Sequence, residues 1–240
     1  MKPELIEQYG DYPAMFCEMF SRAMAAQAGN CELLIDSSDV YTDEPLSIDA
    51  FNNADALLIT GSAASAYENK AWINRLKELV RLWVAEKKKL LGICFGHQLV
   101  AEALGGKVTK CERGWGVGRR EVAVLRSTPW MGDEKAQSIA LLYSHQDQVE
   151  QLPATAQPIL GDAFCPVAGF VIDDQVMTLQ GHPEFSVAYV SELIQRRKAI
   201  IGEDNAERAL QASQLFTDAE AAVAPRWMVN FLCSDLQKTS

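Results

Sequence analysis

Eleven residues, Lys89-Leu-Leu-Gly-Ile-Cys94-Phe-Gly-His-Gln98-Leu99, leave this chain few ways to fold. An apolar run ends in Gly-x-Cys-x-Gly, and apolar residues at helical spacing (Leu99, Val100, Ala103, Leu104) follow at once. That is the spacing of a nucleophile elbow, in which a buried strand turns sharply into a helix and the turn holds one nucleophile. A Cβ at Gly92 or Gly96 would crowd such a turn. Cys94 then stands at a helix N-terminus, where unpaired N–H groups and the dipole favour thiolate over thiol. The competing reading is a buried structural cysteine beside a glycine turn, because free cysteines are often buried. The elbow alone does not decide between them.

At 240 residues, 48% apolar and 22% charged, the chain has an ordinary globular composition and enough length for a sizeable core. A formal charge of −10 argues against nucleic acid or an anionic membrane as partner. No apolar stretch approaches the roughly 20 residues of a membrane span. Six cysteines are scattered without CxxC pairs, and no signal peptide is visible at Met1. Reduced thiols in a cytoplasmic protein are therefore expected, not a disulfide framework or a zinc site. With no repeat or linker, one domain over 1–240 is expected.

Periodicity sketches the rest. Asp11 to Ala28 reads as a helix and Cys31-Glu-Leu-Leu-Ile35 as a strand. Ala56 to Thr60 is a short central strand ending in Gly61-Ser62, followed by an amphipathic helix over Lys70 to Glu86. Its tryptophans, Trp72 and Trp83, are read as packing. Strand–helix–strand–helix at these lengths means parallel crossover units, whose ligands bind beyond the strands' carboxyl ends, where Gly61-Ser62 and Cys94 fall. After Gly105 come short β-like runs (Glu121–Leu125, Ser138–Tyr143, Pro158–Asp162, Val167–Ile172, Val176–Gln180) that suggest an antiparallel extension. Asp173-Asp174 reads as a hairpin turn, not a metal site. Helices return over Tyr189–Ile201, Ala206–Leu215 and Pro225–Leu232. The expected fold is α/β, three-layer and flavodoxin-like, with a mostly parallel sheet. No strand is visible ahead of the first helix, so the first strand is expected to be missing, which would leave a sheet edge open to pairing.

Three histidines exist, His97, His145 and His182. His182 and Glu184 flank Pro183 after an expected buried strand. Residues two apart in extended chain share a face, and proline favours extended geometry before it. A cysteine nucleophile needs a base, and the base needs a third group to fix its tautomer. Cys94, His182 and Glu184 fill those roles. Acyl transfer also needs donors for a developing oxyanion. The backbone N–H of Phe95 supplies one, and the Gly61-Ser62 turn can supply a second. His97 is as well explained by helix packing and stays outside the catalytic set.

Gly92-Ile-Cys-Phe-Gly-His-Gln98 together with Gly181-His-Pro-Glu184 resembles the class I, triad-type glutamine amidotransferases. Thr60-Gly61-Ser62 falls at that family's oxyanion turn, and Tyr143-Ser-His-Gln-Asp-Gln-Val149 resembles its SHxDxV segment. Gly10-Asp-Tyr-Pro13 with Met15, and Gly114-Trp-Gly-Val-Gly118, resemble the GMP-synthase-like and γ-glutamyl-peptidase-like members. The resemblance implies Cys94 as nucleophile, His182 as base and Glu184 as orienter, with Phe95, Gly61 and Ser62 forming the oxyanion hole. It implies that Gln98 and the main chain around Ser144, His145 and Gln146 hold the amino-acid end of glutamine. A γ-glutamyl thioester would form, with no cofactor and no metal. Many members carry glycine where this chain has Ser62, so the turn is expected to suit something besides glutamine.

No ATP-binding motif is visible, so any amination falls to a separate synthetase subunit. Acting alone on γ-glutamyl compounds is the other version. The alternative from another class is a non-catalytic regulatory or binding protein on the same fold.

Overall fold

The computed structural model describes residues 3–26, 31–41, 51, 53–132 and 136–234. In chain order the elements are α1 (Pro3–Tyr9), α2 (Tyr12–Ala25), β1 (Ala56–Ile59), α3 (Ala71–Ala85), β2 (Lys89–Ile93), α4 (Phe95–Ala103), β3 (Lys107–Lys110), β4 (Gly116–Val124), β5 (Ser138–His145), β6 (Asp147–Gln151), β7 (Gln157–Gly161), β8 (Gly169–Ile172), β9 (Val176–Leu179), α5 (Val187–Arg196), α6 (Lys198–Ile201), α7 (Glu203–Ser213) and α8 (Asp218–Cys233). Contacts divide the chain into two units interleaved along the sequence. One, the elbow unit, comprises Asp36–Cys111 and Asp147–Gln180. The other, the histidine unit, comprises Met1–Ile35, Glu112–Gln146 and Gly181–Ser240.

In the elbow unit the strands run in the order β1-β2-β9-β8-β7. β1, β2 and β9 are parallel, and β9, β8 and β7 continue antiparallel. Every residue of β2 is buried, as a continuous apolar strand in a parallel pair requires. The crossover from β1 to β2 is α3, whose buried stripe is Ile73, Leu76, Leu79, Val80 and Trp83. Burying each such side chain contributes roughly 1.5–3 kcal/mol. Trp83 also donates its indole N–H to the carbonyl of Lys89 at 2.8 Å, tying the end of α3 to the start of β2. The β8–β9 turn at Asp173-Asp174 is a hairpin turn as expected, with Asp173 at φ 47°. β3 and β6 form a separate antiparallel pair.

In the histidine unit β4 and β5 pair antiparallel from Gly116↔His145 to Ala123↔Ser138. One apolar cluster unites Met15 of α2, Leu142 of β5, Phe185, and Tyr189, Val190 and Leu193 of α5. Local chemistry sets the helix starts. Gly10, at φ +80°, lies between α1 and α2, and Asp11 caps α2 by accepting from the Ala14 N–H at 2.9 Å. Ser186 caps α5 in the same way. Thr217 and Glu220 form a reciprocal capping box on α8.

Three expectations are corrected. Cys31–Ile35 is not a strand: the segment has no regular structure, and Leu34 is 88% exposed, so its β-prone residues have no sheet to join. Among the described residues no strand precedes Ala56, and β1 is the edge of its sheet. The cysteines are not all reduced: Cys31 and Cys233 form a disulfide across a sequence separation of 202. The last helix starts at Asp218 rather than Pro225, because the capping box fixes its start and Pro225 is accommodated inside. α1 occupies a stretch that periodicity did not mark. Among the described residues no helix is long and apolar enough to cross a membrane.

Candidate active site

Cys94 adopts φ 53°, ψ −100°, a conformation that costs a non-glycine residue about 1–3 kcal/mol and persists only where its surroundings enforce it. Those surroundings are visible. The Cys94 N–H donates to the carbonyl of Leu179 at 2.8 Å, extending the β2–β9 pairing by one residue. A Cβ on Gly92 would meet the Gly96 backbone at 2.8 Å. A Cβ on Gly96 would stand 2.1 Å from the Ile59 carbonyl oxygen. The elbow therefore closes on itself and against the end of β1. Both glycines are required by backbone contact, as the spacing demanded, and Cys94 becomes the first residue of the turn into the buried helix α4.

That contact also brings in the Gly61-Ser62 turn, two residues beyond Ile59. Gly61 is buried and Ser62 half-buried. The Ser62 Oγ accepts from the Ala64 N–H at 3.1 Å and shares a hydrogen bond with the Tyr41 hydroxyl. Phe95, the other proposed donor, is the first residue of α4 and is buried.

Gln98 lies one turn into α4. Its amide N–H groups donate to the Asp147 carbonyl at 2.8 Å and to Gln180 Oε1 at 3.0 Å. The Asp147 carboxylate in turn accepts from the Ser65 and Tyr67 hydroxyls. Gln98 thus anchors the start of β6. Asp147 lies in the SHxDxV-like segment, but its partners Ser65 and Tyr67, and Gln180 as partner of Gln98, carry no local sequence signal, because they stand 80 or more positions apart. His97 turns away into the core. It is fully buried, with Nδ1 2.9 Å from Thr178 Oγ1 and its ring against Phe170, which is the packing role.

His182, Glu184, Ser144, His145 and Gln146 belong to the histidine unit, and Cys94, Phe95, Gln98, Gly61 and Ser62 to the elbow unit. The His182 N–H donates to the Leu142 carbonyl at 2.8 Å, a single bridge that sets the His-Pro-Glu segment beside β5. A Cβ at Gly181 would press on Leu141 and Tyr143, so glycine is what allows that approach. His182 Nδ1 lies 2.7 Å from Glu184 Oε1, and both side chains are almost wholly buried. An ionised Glu184 accepts from Nδ1–H, which leaves Nε2 as the basic nitrogen. The imidazole stacks flat on Phe185, with centroids 3.8 Å apart and planes 7° apart. Phe185 stacks in turn on Tyr12 at 6.2 Å and meets the edge of Tyr189 at 4.6 Å. Burial raises the Tyr189 phenol above its ordinary value, opposed by its hydrogen bond with Tyr12. The Gly10-Asp-Tyr-Pro13 segment thus has a physical role, since its tyrosine backs the histidine stack. Ser144 Oγ accepts from Arg197 at 2.8 Å, and the Arg197 guanidinium lies over the Trp115 ring.

A family model described as glutamine amidotransferase class-I matches residues 17–198. The chain belongs to that family. It is 34% identical over 147 residues to gamma-glutamyl peptidase 3 of Arabidopsis thaliana, a match covering 59% of each protein. It is 30% identical over 218 residues to a glutamine amidotransferase-like protein of Schizosaccharomyces pombe, covering 88% of this chain and 87% of that one. A 28% identity over 178 residues links it to the glutamine-hydrolyzing GMP synthase of Caldanaerobacter subterraneus, covering 73% of this chain and 32% of that protein. Among solved structures, a glutamine amidotransferase from Thermotoga maritima superposes with TM-score 0.62 at 19% identity, covering 73% of this chain and 77% of that one. The fold is therefore the α/β, flavodoxin-like one expected from the crossover units. Its strand pairing is mixed rather than mostly parallel, because of the pairs β1–β2, β2–β9, β9–β8, β8–β7 and β4–β5 only the first two run parallel.

Proposed function

We propose that this chain is a cysteine-dependent γ-glutamyl amidohydrolase working as one domain over 1–240, with Cys94, His182 and Glu184 as its triad. The observation that carries the reading is the left-handed Cys94, held in a costly backbone conformation by glycines whose Cβ positions are filled by backbone. The paired His182–Glu184 dyad and the family membership support it.

In the proposed reaction His182 Nε2 takes the Cys94 proton and the thiolate adds to the γ-carbonyl carbon. The oxyanion is held by the N–H groups of Phe95 and the Gly61-Ser62 turn. The C–N bond then breaks, the leaving nitrogen takes the proton from His182, and a γ-glutamyl thioester remains on Cys94. Water, deprotonated by His182, adds to the thioester. Glutamate leaves, and the thiolate recovers the proton. Glu184 fixes the tautomer throughout and stabilises the imidazolium. Gln98, anchored on Asp147, with Ser144, His145 and Gln146, would hold the amino-acid end of the substrate.

The similarity to gamma-glutamyl peptidase 3 favours γ-glutamyl compounds as substrates of an enzyme acting alone. The similarity to a GMP synthase favours a second reading, in which glutamine is cleaved and ammonia passes to a separate synthetase. Steady-state hydrolysis of γ-glutamyl dipeptides and of L-glutamine, with Cys94→Ser beside the native chain, separates them. Dipeptide turnover lost in Cys94→Ser supports the first reading, and glutamine turnover alone supports the second. If native and Cys94→Ser proteins are equally inert on both substrates, the catalytic reading fails.

A further inference from the structure

The segment leading to Tyr41 has neither helix nor strand, yet Tyr41 is tethered three times. Its N–H donates to Asp39 Oδ1 at 2.9 Å, its hydroxyl hydrogen-bonds Ser62 Oγ, and its ring lies 4.6 Å from that of Trp72. Trp72, in the first turn of α3, continues the contact to the Phe95 ring at 5.5 Å. An isolated exposed tyrosine needs no explanation. A tyrosine 56% exposed but fixed at backbone, hydroxyl and ring is a presented surface. Moreover, its hydroxyl partner is Ser62 and its ring partner Trp72 rests on Phe95, and Ser62 and Phe95 are the residues proposed above for the oxyanion hole. Trp72 packs against the core as its helical spacing leads one to expect, and it stays half-buried.

From this geometry we propose that Tyr41 and Trp72 form an aromatic subsite for the amine side of the scissile bond, which rests on the γ-glutamyl amidohydrolase reading above. The preferred substrates are γ-glutamyl compounds whose leaving amine carries a flat apolar group, such as an aromatic amino acid. A carbonyl seated at Ser62 and Phe95 has its flanking groups within reach of these rings. The other flank of the turn is polar: Ser65 and Tyr67 bind Asp147, which suits the charged amino-acid end and leaves the rings to the amine. Ser62 gains a purpose here. A glycine would keep the backbone donor but could not hold the Tyr41 hydroxyl.

The test compares kcat/KM for γ-glutamylphenylalanine and γ-glutamylglycine, whose leaving amines have similar basicity. Ring stacking predicts a preference for the aromatic dipeptide of about 3- to 10-fold in the native chain. Tyr41→Ala is expected to bring that ratio within about twofold of one, and Ser62→Gly to lower it at least about twofold. Both substrates are measured on the same preparation, so a general loss of fold or activity cancels in the ratio. A native ratio near one, or a preference that survives Tyr41→Ala, overturns the subsite while γ-glutamylglycine turnover keeps the amidohydrolase reading. No Cys94-dependent turnover of either dipeptide overturns both.

Discussion

Replacing Gly96 by alanine tests the packing that enforces the elbow. The new Cβ would stand 2.1 Å from the Ile59 carbonyl oxygen, 2.8 Å from its carbonyl carbon and 3.0 Å from its Cβ. Relief requires a backbone displacement of at least about 1 Å, since a Cβ contact below 3.0 Å is essentially never found and ordinary contact begins near 3.4 Å. Neither side yields easily. Ile59 is in register with Gly92 in the parallel pair β1–β2, and all but one residue of α4 is buried. Overpacking costs about 1–3 kcal/mol, and a clash of backbone with backbone belongs at the upper end, about 3 kcal/mol. At about 2–4 °C per kcal/mol for a chain of this size, Tm should fall by roughly 6–12 °C. The same displacement moves Cys94 relative to the Gly61-Ser62 turn, and a 1 Å misplacement can lower kcat/KM by about 100-fold. Gly105→Ala is the control. Its Cβ meets nothing within 4 Å, so only its φ of +91° penalises alanine, by about 1–2 kcal/mol. Thermal melts and kcat/KM on the same preparations give the answer. A Gly96→Ala protein melting within about 2 °C of native and retaining its rate within about threefold would refute the enforced elbow.

Phe185→Leu removes the face on which His182 stacks while keeping bulk, and should move the kcat/KM pH profile and lower the rate about 10-fold; an unchanged profile would mean the stack does not position the base. Thiol titration of the denatured, unreduced protein should find four of the six cysteines reactive, since Cys31 and Cys233 are paired. By loop closure that bond stabilises by up to about 5 kcal/mol, so Cys233→Ser should lower Tm measurably unless the bond is absent. The Glu220 carboxyl is held below its ordinary 4.5 chiefly by its hydrogen bond with Arg119. A depressed carboxylate contributes stability above 4.5 that is lost as pH falls through its lower folded value. Glu220→Gln should therefore flatten the decline in stability below pH 4.5; an acid limb as steep as native would rule the pair out.

How much was legible follows from where the information lay. The elbow was readable because its constraint is local: Gly92, Cys94 and Gly96 must fit one turn whatever surrounds them. His182 and Glu184 were readable for the same reason, two positions apart around a proline, as was the stripe of α3. Cys31–Ile35 misled because β-prone residues make a strand only beside a partner strand. The Cys31–Cys233 bond depends on a Cα separation of 6.2 Å that spacing cannot reveal. β3 was missed because only Val108 of its four residues is buried, so no alternation marks it. The Thr217-x-x-Glu220 capping-box spacing that marks the start of α8 is present in the sequence, although the helical pattern read there begins only at Pro225. The Asp147 and Tyr41 contacts join residues far apart in the chain and needed the fold.

The claim at the centre of this account is that Cys94 becomes acylated by the γ-glutamyl group. The direct measurement is acid quenching of native protein during turnover of a γ-glutamyl dipeptide, followed by peptide mass analysis. The account predicts a γ-glutamyl adduct on the peptide containing Cys94, labile to hydroxylamine as a thioester is, and its absence in Cys94→Ser. Turnover without any adduct on Cys94, or an adduct that persists in Cys94→Ser, would contradict it.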